Sequence, residues 1–241
     1  MRRIVTCEML DHLAAASPAA QRSRRDLRRV HHAMRTRSIV ADGWRALWPA
    51  QRVTAPLRIL EIGAGDGTLL LGVARALAPA WPRVELTLLD RQDIVTPATL
   101  AAYAGHGWNV KQEVTDVLDW AAQTRGAITP PKWHLITTTL FLHHFDGASL
   151  HHLLAAIAAR AERFFACEPR RGWLALAGSH LVGAIGANQV TRVDAVSSVH
   201  AGFRGHEITT LWPAATAAWH SREYAAGPFS HCFSAWRADT A

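Results

Sequence analysis

The chain has 241 residues, the length of one domain with an appendage, and 49% of them are hydrophobic, which is ordinary for a protein with a packed core. No window approaches the roughly eighteen apolar residues of a transmembrane helix, and Glu8 and Asp11 interrupt the region where a signal peptide needs an apolar run. Cys7, Cys167 and Cys232 are too widely spaced for a disulfide framework or a metal-binding cysteine pair, so a cytoplasmic location is expected.

The excess positive charge lies at the start of the chain. Residues 1–58 hold 12 Lys/Arg and 4 Asp/Glu, whereas residues 59–241 hold 14 and 15. Much of it falls in Arg22–Arg37, where a helix would place Leu27, Val30 and Met34 in one narrow apolar stripe. Such a helix is either solvated and docked by its stripe, or it attracts an anionic substrate or carrier, a membrane surface or a nucleic acid.

Strands and helices alternate along the rest of the chain. Helices are expected up to about residue 50, and residues 219–238 form two strands joined by the turn sequence AAGP. The strands between them are continuous apolar runs, which is typical of a parallel sheet covered by helices on both faces. The expected strands are Leu57–Ile62, Val84–Asp90, Trp108–Val114, His134–Leu142 and Arg163–Pro169, and the expected helices include Thr68–Leu77, Thr96–Ala104 and Ser149–Arg163.

The stretch LRILEIGAGDGTLLL, residues 57–71, places three glycines between a strand and a helix. A glycine turn in this position lets a ligand approach the backbone closely. The spacing is Glu61-x-Gly63-x-Gly65-x-Gly67, which differs from the dinucleotide fingerprint and lacks the Gly-Lys-Ser/Thr ending of a P-loop.

This stretch resembles motif I of the class I S-adenosylmethionine-dependent methyltransferases. The resemblance covers about residues 57–241 and implies a Rossmann-like α/β fold with a seven-stranded, mostly parallel sheet and a C-terminal antiparallel hairpin. It also implies a helical, basic N-terminal cap over residues 1–52 and a methyltransferase domain over residues 53–241.

The resemblance implies S-adenosylmethionine as the cofactor and assigns roles to acids at three strand ends. Asp90 would accept hydrogen bonds from the ribose hydroxyls, as suits an acceptor-only group facing a diol. Asp116 would contact the adenine, with the backbone of Val117 beside the ring, although Asp119 competes for this role. Glu61 would orient the loop and the amino group of the ligand. The full set of expected cofactor residues is Glu61, Gly63, Ala64, Gly65, Gly67, Asp90, Arg91, Asp116, Val117 and Thr138.

The region after the fourth strand indicates the class of acceptor. It lacks the signature of enzymes that methylate amino groups of bases, the Pro-Cys of cytosine-C5 enzymes and the acidic cluster of metal-dependent catechol enzymes. The sequence LHHF, residues 142–145, resembles a turn of small-molecule members, including quinone methyltransferases. His144, and less strongly His143, is therefore the expected general base, unless both only shape the pocket, and no metal is expected.

Residues 170–204 are long for a connection between a strand and a helix and are rich in apolar side chains. They resemble lid insertions over aromatic or polyketide-like acceptors, and His180, Asp194 and His200 are candidates to contact acceptor hydroxyls. They could equally be two packed helices with polar outer faces.

The sequence therefore predicts a metal-independent methyltransferase that acts on an oxygen of a small aromatic or polyketide-derived acceptor. Two alternatives remain open at this point. One is a nucleic-acid methyltransferase that uses the basic N-terminal helix, and the other is a non-catalytic partner protein with the same fold.

Overall fold

The computed structural model of the protein describes residues 1–48, 56–78, 80–123, 133–213 and 219–238. Across these ranges the chain builds one seven-stranded sheet. Its strands are β1 (Leu57–Ile62), β2 (Val84–Asp90), β3 (Trp108–Val114), β4 (Trp133–Thr139), β5 (Ala161–Pro169), β6 (Trp219–Ala226) and β7 (Ser230–Arg237).

The order of the strands across the sheet is β3-β2-β1-β4-β5-β7-β6. The neighbours among β1–β5 are parallel, whereas β7 runs antiparallel to both β5 and β6. This confirms the predicted mostly parallel sheet and its closing hairpin. The chain moves from β1 outward to β2 and β3 and then returns to β4 on the other side of β1. In open parallel sheets, ligands bind beyond the carboxyl ends of the strands at such a point of reversal.

Helices cover both faces of the sheet. They are α1 (Met9–His12), α2 (Pro18–Ala33), α3 (Thr36–Leu47), α4 (Thr68–Leu77), α5 (Pro97–Ala104), α6 (Val117–Ala122), α7 (Gly147–Arg160), α8 (Trp173–His180), α9 (Gln189–Ala201) and α10 (Glu207–Leu211). Two short 3-10 helices, Leu142–His144 and Val182–Ile185, complete the set in the described ranges. None of the helices in these ranges combines the length and the apolar character needed to span a bilayer.

Side chains in the sequence fix where several helices begin. Ser17, Thr96 and Asn188 each accept a hydrogen bond from the backbone N–H three residues further on. Proline follows two of these caps directly, at Pro18 and Pro97, where its fixed φ suits the first helical turn.

The apolar residues of β1 divide between two cores because successive side chains of a strand point to opposite faces. Leu60 and Ile62 belong to the cluster on the side of α6 and α7, while Leu57 and Ile59 belong to the cluster on the side of α3 and α4. Both faces of the sheet are therefore buried against hydrophobic side chains, as the continuous apolar runs predict.

The N-terminal helix α3 is part of the second core. Trp44 is fully buried, and its ring stacks with those of Trp81 and Trp108 at centroid distances of 5.9 Å and 6.3 Å. A Cβ on Gly43 would lie 2.1 Å from the ring of Phe165, so α3 sits directly on β5. The boundary predicted near residue 52 lies outside the described residues, and the division into a cap and a domain stays a prediction.

The fourth strand is shorter than the sequence predicts. Instead of extending over His134–Leu142, β4 ends at Thr139, and Leu140 adopts a left-handed conformation with φ of 53°. The continuous apolar run concealed this end because Phe141 and Leu142 pack against the core from the following turn. The predicted lid segment, in contrast, does form two packed helices, α8 and α9.

Candidate functional site

A cavity of about 720 Å³ opens beyond the carboxyl ends of β1, β2 and β4, at the point where the strand order reverses. The glycine loop forms its floor, and α2, α8 and α9 close it from above. Of the predicted cofactor residues, those that line it are Glu61, Gly63, Ala64, Gly65, Asp90, Arg91, Asp116 and Val117.

The glycine loop owes its shape to positive φ angles at Gly63, Gly65 and Gly67, which are 75°, 56° and 72°. The N–H groups of Gly63 and Ala64 donate to the carbonyl of Leu89, at 2.9 Å and 3.1 Å, and tie the loop to β2. A Cβ at Gly65 would meet no atom within 4 Å, so the backbone there borders open space.

Two of the ten predicted cofactor positions face away from this cavity. The carbonyl of Gly67 accepts a hydrogen bond of 2.7 Å from Tyr103, and a Cβ there would lie 3.1 Å from Leu88, so this glycine allows close packing of α4. Thr138 is fully buried within β4, and the next residue, Thr139, lines the cavity instead. Since side chains alternate along a strand, an error of one residue exchanges the two faces.

Three carboxylates gather at the floor of the cavity. Asp90 accepts hydrogen bonds from the N–H groups of Gly65 and Gln92, at 2.8 Å and 2.9 Å. Asp66, which was not among the predicted residues, accepts hydrogen bonds from the N–H and the hydroxyl of Thr68, the first residue of α4. Glu61 is 3% exposed, and its Oε2 has no hydrogen-bond partner among the described residues. Burial, and then the charges of Asp90 and Asp66, raise the pKa of Glu61 well above its usual value.

The acids after β3 are separated by the structure. Asp116 lines the cavity and caps α6 by accepting from the N–H of Leu118 at 2.8 Å. Asp119 is exposed and does not line the cavity. The geometry thus favours Asp116 over Asp119.

Opposite the glycine loop, the turn after β4 is held by one buried carboxylate. Glu168, at the end of β5, accepts hydrogen bonds from the N–H groups of Phe141, Leu142 and His143 at 3.1 Å, 3.0 Å and 3.3 Å. These three N–H groups lie at the start of a 3-10 helix, where backbone donors have no partner within the helix. Glu168 therefore fixes the position of the LHHF turn.

His143 is clamped between two carboxylates. Its Nδ1 lies 2.9 Å from Glu168, and its Nε2 lies 3.2 Å from Glu8. Burial alone would lower the pKa of His143, but the hydrogen bonds and charges of Glu168 and Glu8 outweigh it and raise that pKa to about 9. At neutral pH this imidazole is protonated, and it is therefore a poor base.

His144 lies in a different environment. Its Nδ1 is 3.3 Å from Asp11, and the same carboxylate is 3.0 Å from Arg91 in the loop after β2. A carboxylate at Nδ1 orients the imidazole and leaves Nε2 to accept a proton. Asp11 links the histidine turn to the cofactor side of the cavity.

The N-terminal segment, which supplies Glu8 and Asp11, is the part of the site that sequence reasoning missed. Arg3 donates to the carbonyls of Ala201 and Phe145, both at 2.7 Å. Asp194, predicted to contact an acceptor, lines the cavity but accepts from the N–H groups of Met9 and Leu10 at 2.7 Å and 3.0 Å. Its carboxylate therefore holds α1 in place.

The other two predicted acceptor residues lie away from this cavity. His180 is exposed at the end of α8, and neither it nor His200 lines the cavity. The acceptor side is instead mainly apolar, and the predicted stripe lines it, with Leu27 and Val30 in α2 and Met34 directly after that helix. A stripe that appeared sufficient to dock a helix is thus a wall of the cavity.

Donor atoms of Glu8, His143 and His144 all lie within 4.8 Å of one another, which is close enough to surround a metal ion. In this structure Glu8 and His143 are hydrogen-bonded to each other, and Glu8 also accepts from Ser198. The side chains that could bind a metal ion are thus already hydrogen-bonded to other side chains.

Solved structures with the same architecture identify the fold. The plantazolicin methyltransferase BpumL, solved in complex with SAH, superposes with a TM-score of 0.64 at 13% identity over 92% of each chain. The same enzyme with a triazolic desmethylPZN analog and SAH gives 0.63 at 12% identity over 92% of this chain and 93% of the other. An O-methyltransferase family protein from Burkholderia thailandensis gives 0.58 at 14% identity, over 94% of this chain and 62% of the other.

No family model matches the sequence, and no curated protein does. The structural likeness shows that the chain has the Rossmann-like fold of these methyltransferases.

The clamp around His143 makes stability depend on pH. Because the folded-state pKa of about 9 exceeds the unfolded value of about 6.5, the stabilisation is complete below about pH 6.5 and is lost as the pH rises through about 9. The loss should be of the order of 3 kcal/mol of unfolding free energy. Urea unfolding of wild type and His143→Gln across this range measures it, with exposed His151→Gln as the control. Equal slopes in wild type and His143→Gln would disprove the clamp.

The buried carboxylate of Glu61 should destabilise the ligand-free protein. Its pKa is raised on folding, so the cost grows as the pH rises above about 4.5. Glu61→Gln should therefore raise the free energy of unfolding at neutral pH by about 1 kcal/mol or more, measured by urea titration. The exposed Glu85→Gln on β2 is the control and should change it little. A Glu61→Gln protein less stable than wild type would contradict this account.

Proposed function

We propose that the protein is an enzyme that transfers a methyl group from S-adenosylmethionine to a phenolic oxygen of a small aromatic or polyketide-derived acceptor, without a metal ion. The observation that carries the proposal is the pairing, across one cavity, of a glycine loop with strand-end acids on one side and a histidine–carboxylate pair on the other. Proteins of the same fold that have been solved with SAH support the cofactor half.

The floor of the cavity fits S-adenosylmethionine. Open space beside Gly65 leaves room for the ligand along the backbone, and the unpartnered Oε2 of Glu61 can accept from an ammonium group. Glu61, Asp66 and Asp90 are all acidic, which suits a ligand that carries a sulfonium and an ammonium. Asp90 would hold the ribose, and Asp116 with the backbone of Val117 would hold the adenine.

The apolar half of the cavity suits an aromatic acceptor. Leu27 and Val30 of α2, Met34 directly after it, and Phe141 and Phe145 of the turn after β4 all line the cavity. A flat ring placed among these side chains would be desolvated while its hydroxyl faces His144. Such pockets, mainly apolar with a few polar groups, are typical of small-molecule sites.

When bound, S-adenosylmethionine supplies an activated methyl group on a sulfonium. The chain has to align the acceptor oxygen with that methyl group and remove the hydroxyl proton. We assign the proton to Nε2 of His144, whose Nδ1 is held by Asp11. His143 acts indirectly, because its clamp fixes the turn and keeps the adjacent positive charge near the site.

The cofactor assignment is tested by isothermal titration with S-adenosylmethionine and S-adenosylhomocysteine. Wild type should bind both, and Asp90→Ala should bind at least about tenfold more weakly, because the ribose hydroxyls would lose their acceptor. Asp119→Ala is the matched control and should bind normally. Unchanged affinity in Asp90→Ala would remove this residue from the site, and absence of binding in wild type would disprove the cofactor assignment.

The base assignment is tested by methyl transfer to a panel of phenols. His144→Asn should lower the rate about 10²- to 10⁴-fold while the affinity for S-adenosylmethionine stays unchanged. Asp11→Asn should lower the rate less, and the exposed His151→Asn should retain it. A chelator should not affect wild type. Full activity in His144→Asn, or a loss of activity with the chelator that added metal restores, would contradict the proposed mechanism.

A further inference from the structure

Helix α8 exposes an apolar face to solvent. Trp173, Leu174 and Leu181 are 76%, 71% and 68% exposed. Leu181 directly follows the helix with a helical backbone conformation, and the spacing places all three within one arc of about 100°, because each residue advances about 100°. Ile185, in the 3-10 helix that follows, extends this face and is 43% exposed. Large exposed apolar side chains grouped in this way mark a surface that binds something.

The other side of α8 lines the cavity. Ala175 and Ser179 are buried, and together with Gly178 they line the cavity. At the C-terminal end of the exposed face, Leu181 and Ile185 also line the cavity, so the exposed face and the cavity meet there.

Cationic side chains lie at both ends of this face. At the N-terminal end, Arg170, Arg204 and His206 share a surface pocket of about 530 Å³ with Trp173 and Leu174. This end of the face therefore combines positive charge with large apolar side chains.

At the C-terminal end, Nε of Arg192 lies 3.0 Å from where a Cβ on Gly183 would be. Nη1 of Arg29 lies 3.8 Å from the corresponding position on Gly186, and Arg29 also pairs with Asp26 at 3.0 Å. Arg29 belongs to the basic stretch that the sequence analysis associated with an anionic partner.

We propose that the α8 face, defined as Trp173, Leu174, Leu181 and Ile185 with Arg170, Arg192 and Arg204 at its ends, binds the surface of an anionic lipid bilayer. A bilayer interface accepts tryptophan and leucine at the depth of the headgroups and attracts arginine to lipid phosphates.

The two other occupants fit less well. A second copy of the chain, docked face to face, would bring these arginines against one another. An acidic carrier protein would match the arginines but would leave a tryptophan and two leucines largely unmatched. The combination of apolar side chains with positive charge at both ends of the face favours the bilayer.

This inference does not require the proposed reaction. If the α8 face binds a bilayer, the cavity lies next to the membrane surface. An acceptor that partitions into a membrane could reach the site past α8 without crossing open water.

The test is sedimentation of the whole protein with vesicles of phosphatidylcholine, alone or with added phosphatidylglycerol. Wild type should bind the anionic vesicles, more weakly at high salt. The double variant Trp173→Ser/Leu174→Ser should bind at least about tenfold more weakly, because neither side chain can enter the interface. Val114→Ser, 52% exposed on the distant edge strand β3, is the matched control and should bind as wild type does.

A second pair of substitutions, Arg192→Gln with Arg204→Gln, should weaken binding to the anionic vesicles about tenfold or more and leave binding to neutral vesicles unchanged. Thermal melting of each variant checks that the fold is retained, and affinity for S-adenosylmethionine should be the same in all of them.

Absence of binding by wild type, or binding that the Trp173→Ser/Leu174→Ser variant retains, would overturn the proposal. A wild type that sediments as a dimer at equilibrium while this variant is a monomer would also overturn it and assign the face to a second copy of the chain.

Discussion

The rest of the site depends on the hydrogen bonds that the carboxylate of Glu168 accepts. It is fully buried at the end of β5 and collects three backbone N–H groups from the turn after β4, together with the ring of His143. That turn in turn places Phe141 directly against Gly63, where any Cβ would lie 2.2 Å from its ring. Without Glu168, the N–H groups of this turn would have no hydrogen-bond partner. The turn, and the glycine loop that packs against it through Phe141, would no longer be held in place.

The acidic groups around this cavity form two sets that differ in their partners. Acidic groups that touch the glycine loop have few cationic partners, and they leave a negative site for a positively charged ligand. Acidic groups from the N-terminal segment, Glu8 and Asp11, are each paired with a histidine. Glu168 and Glu8 together raise the pKa of His143, whereas Asp11 lies at Nδ1 of His144 and orients that ring. Adjacent residues of the same type thus acquire different roles from their neighbours.

The sequence predicts the sheet and the cofactor side well because both depend on local pattern. Apolar runs end at strand ends, and glycines with positive φ and the acid Asp90 follow them within a few residues. The acceptor side is different. Glu8 and Asp11 lie more than 130 positions before the histidines they contact, and no periodicity or motif spans that distance. Asp194 and His180 appeared equivalent as polar groups in an apolar segment. In the structure Asp194 accepts a hydrogen bond from the backbone of α1, whereas His180 is exposed to solvent. Thr138 and Thr139 differ only in which face of β4 they occupy, which one residue of register decides.

The anchoring of the N-terminal segment has a consequence for how the protein is made. Arg3, Glu8 and Asp11 are synthesised well before their partners, which are Phe145, Ala201, His143 and His144. Contacts of such long sequence separation form late, because closing the loop costs entropy before any contact compensates for it. On the ribosome this segment cannot make these contacts until residues 143–201 have emerged. The cavity is therefore completed after the sheet, and in a nascent chain with a formed core Glu8 and Asp11 do not yet contact the histidines.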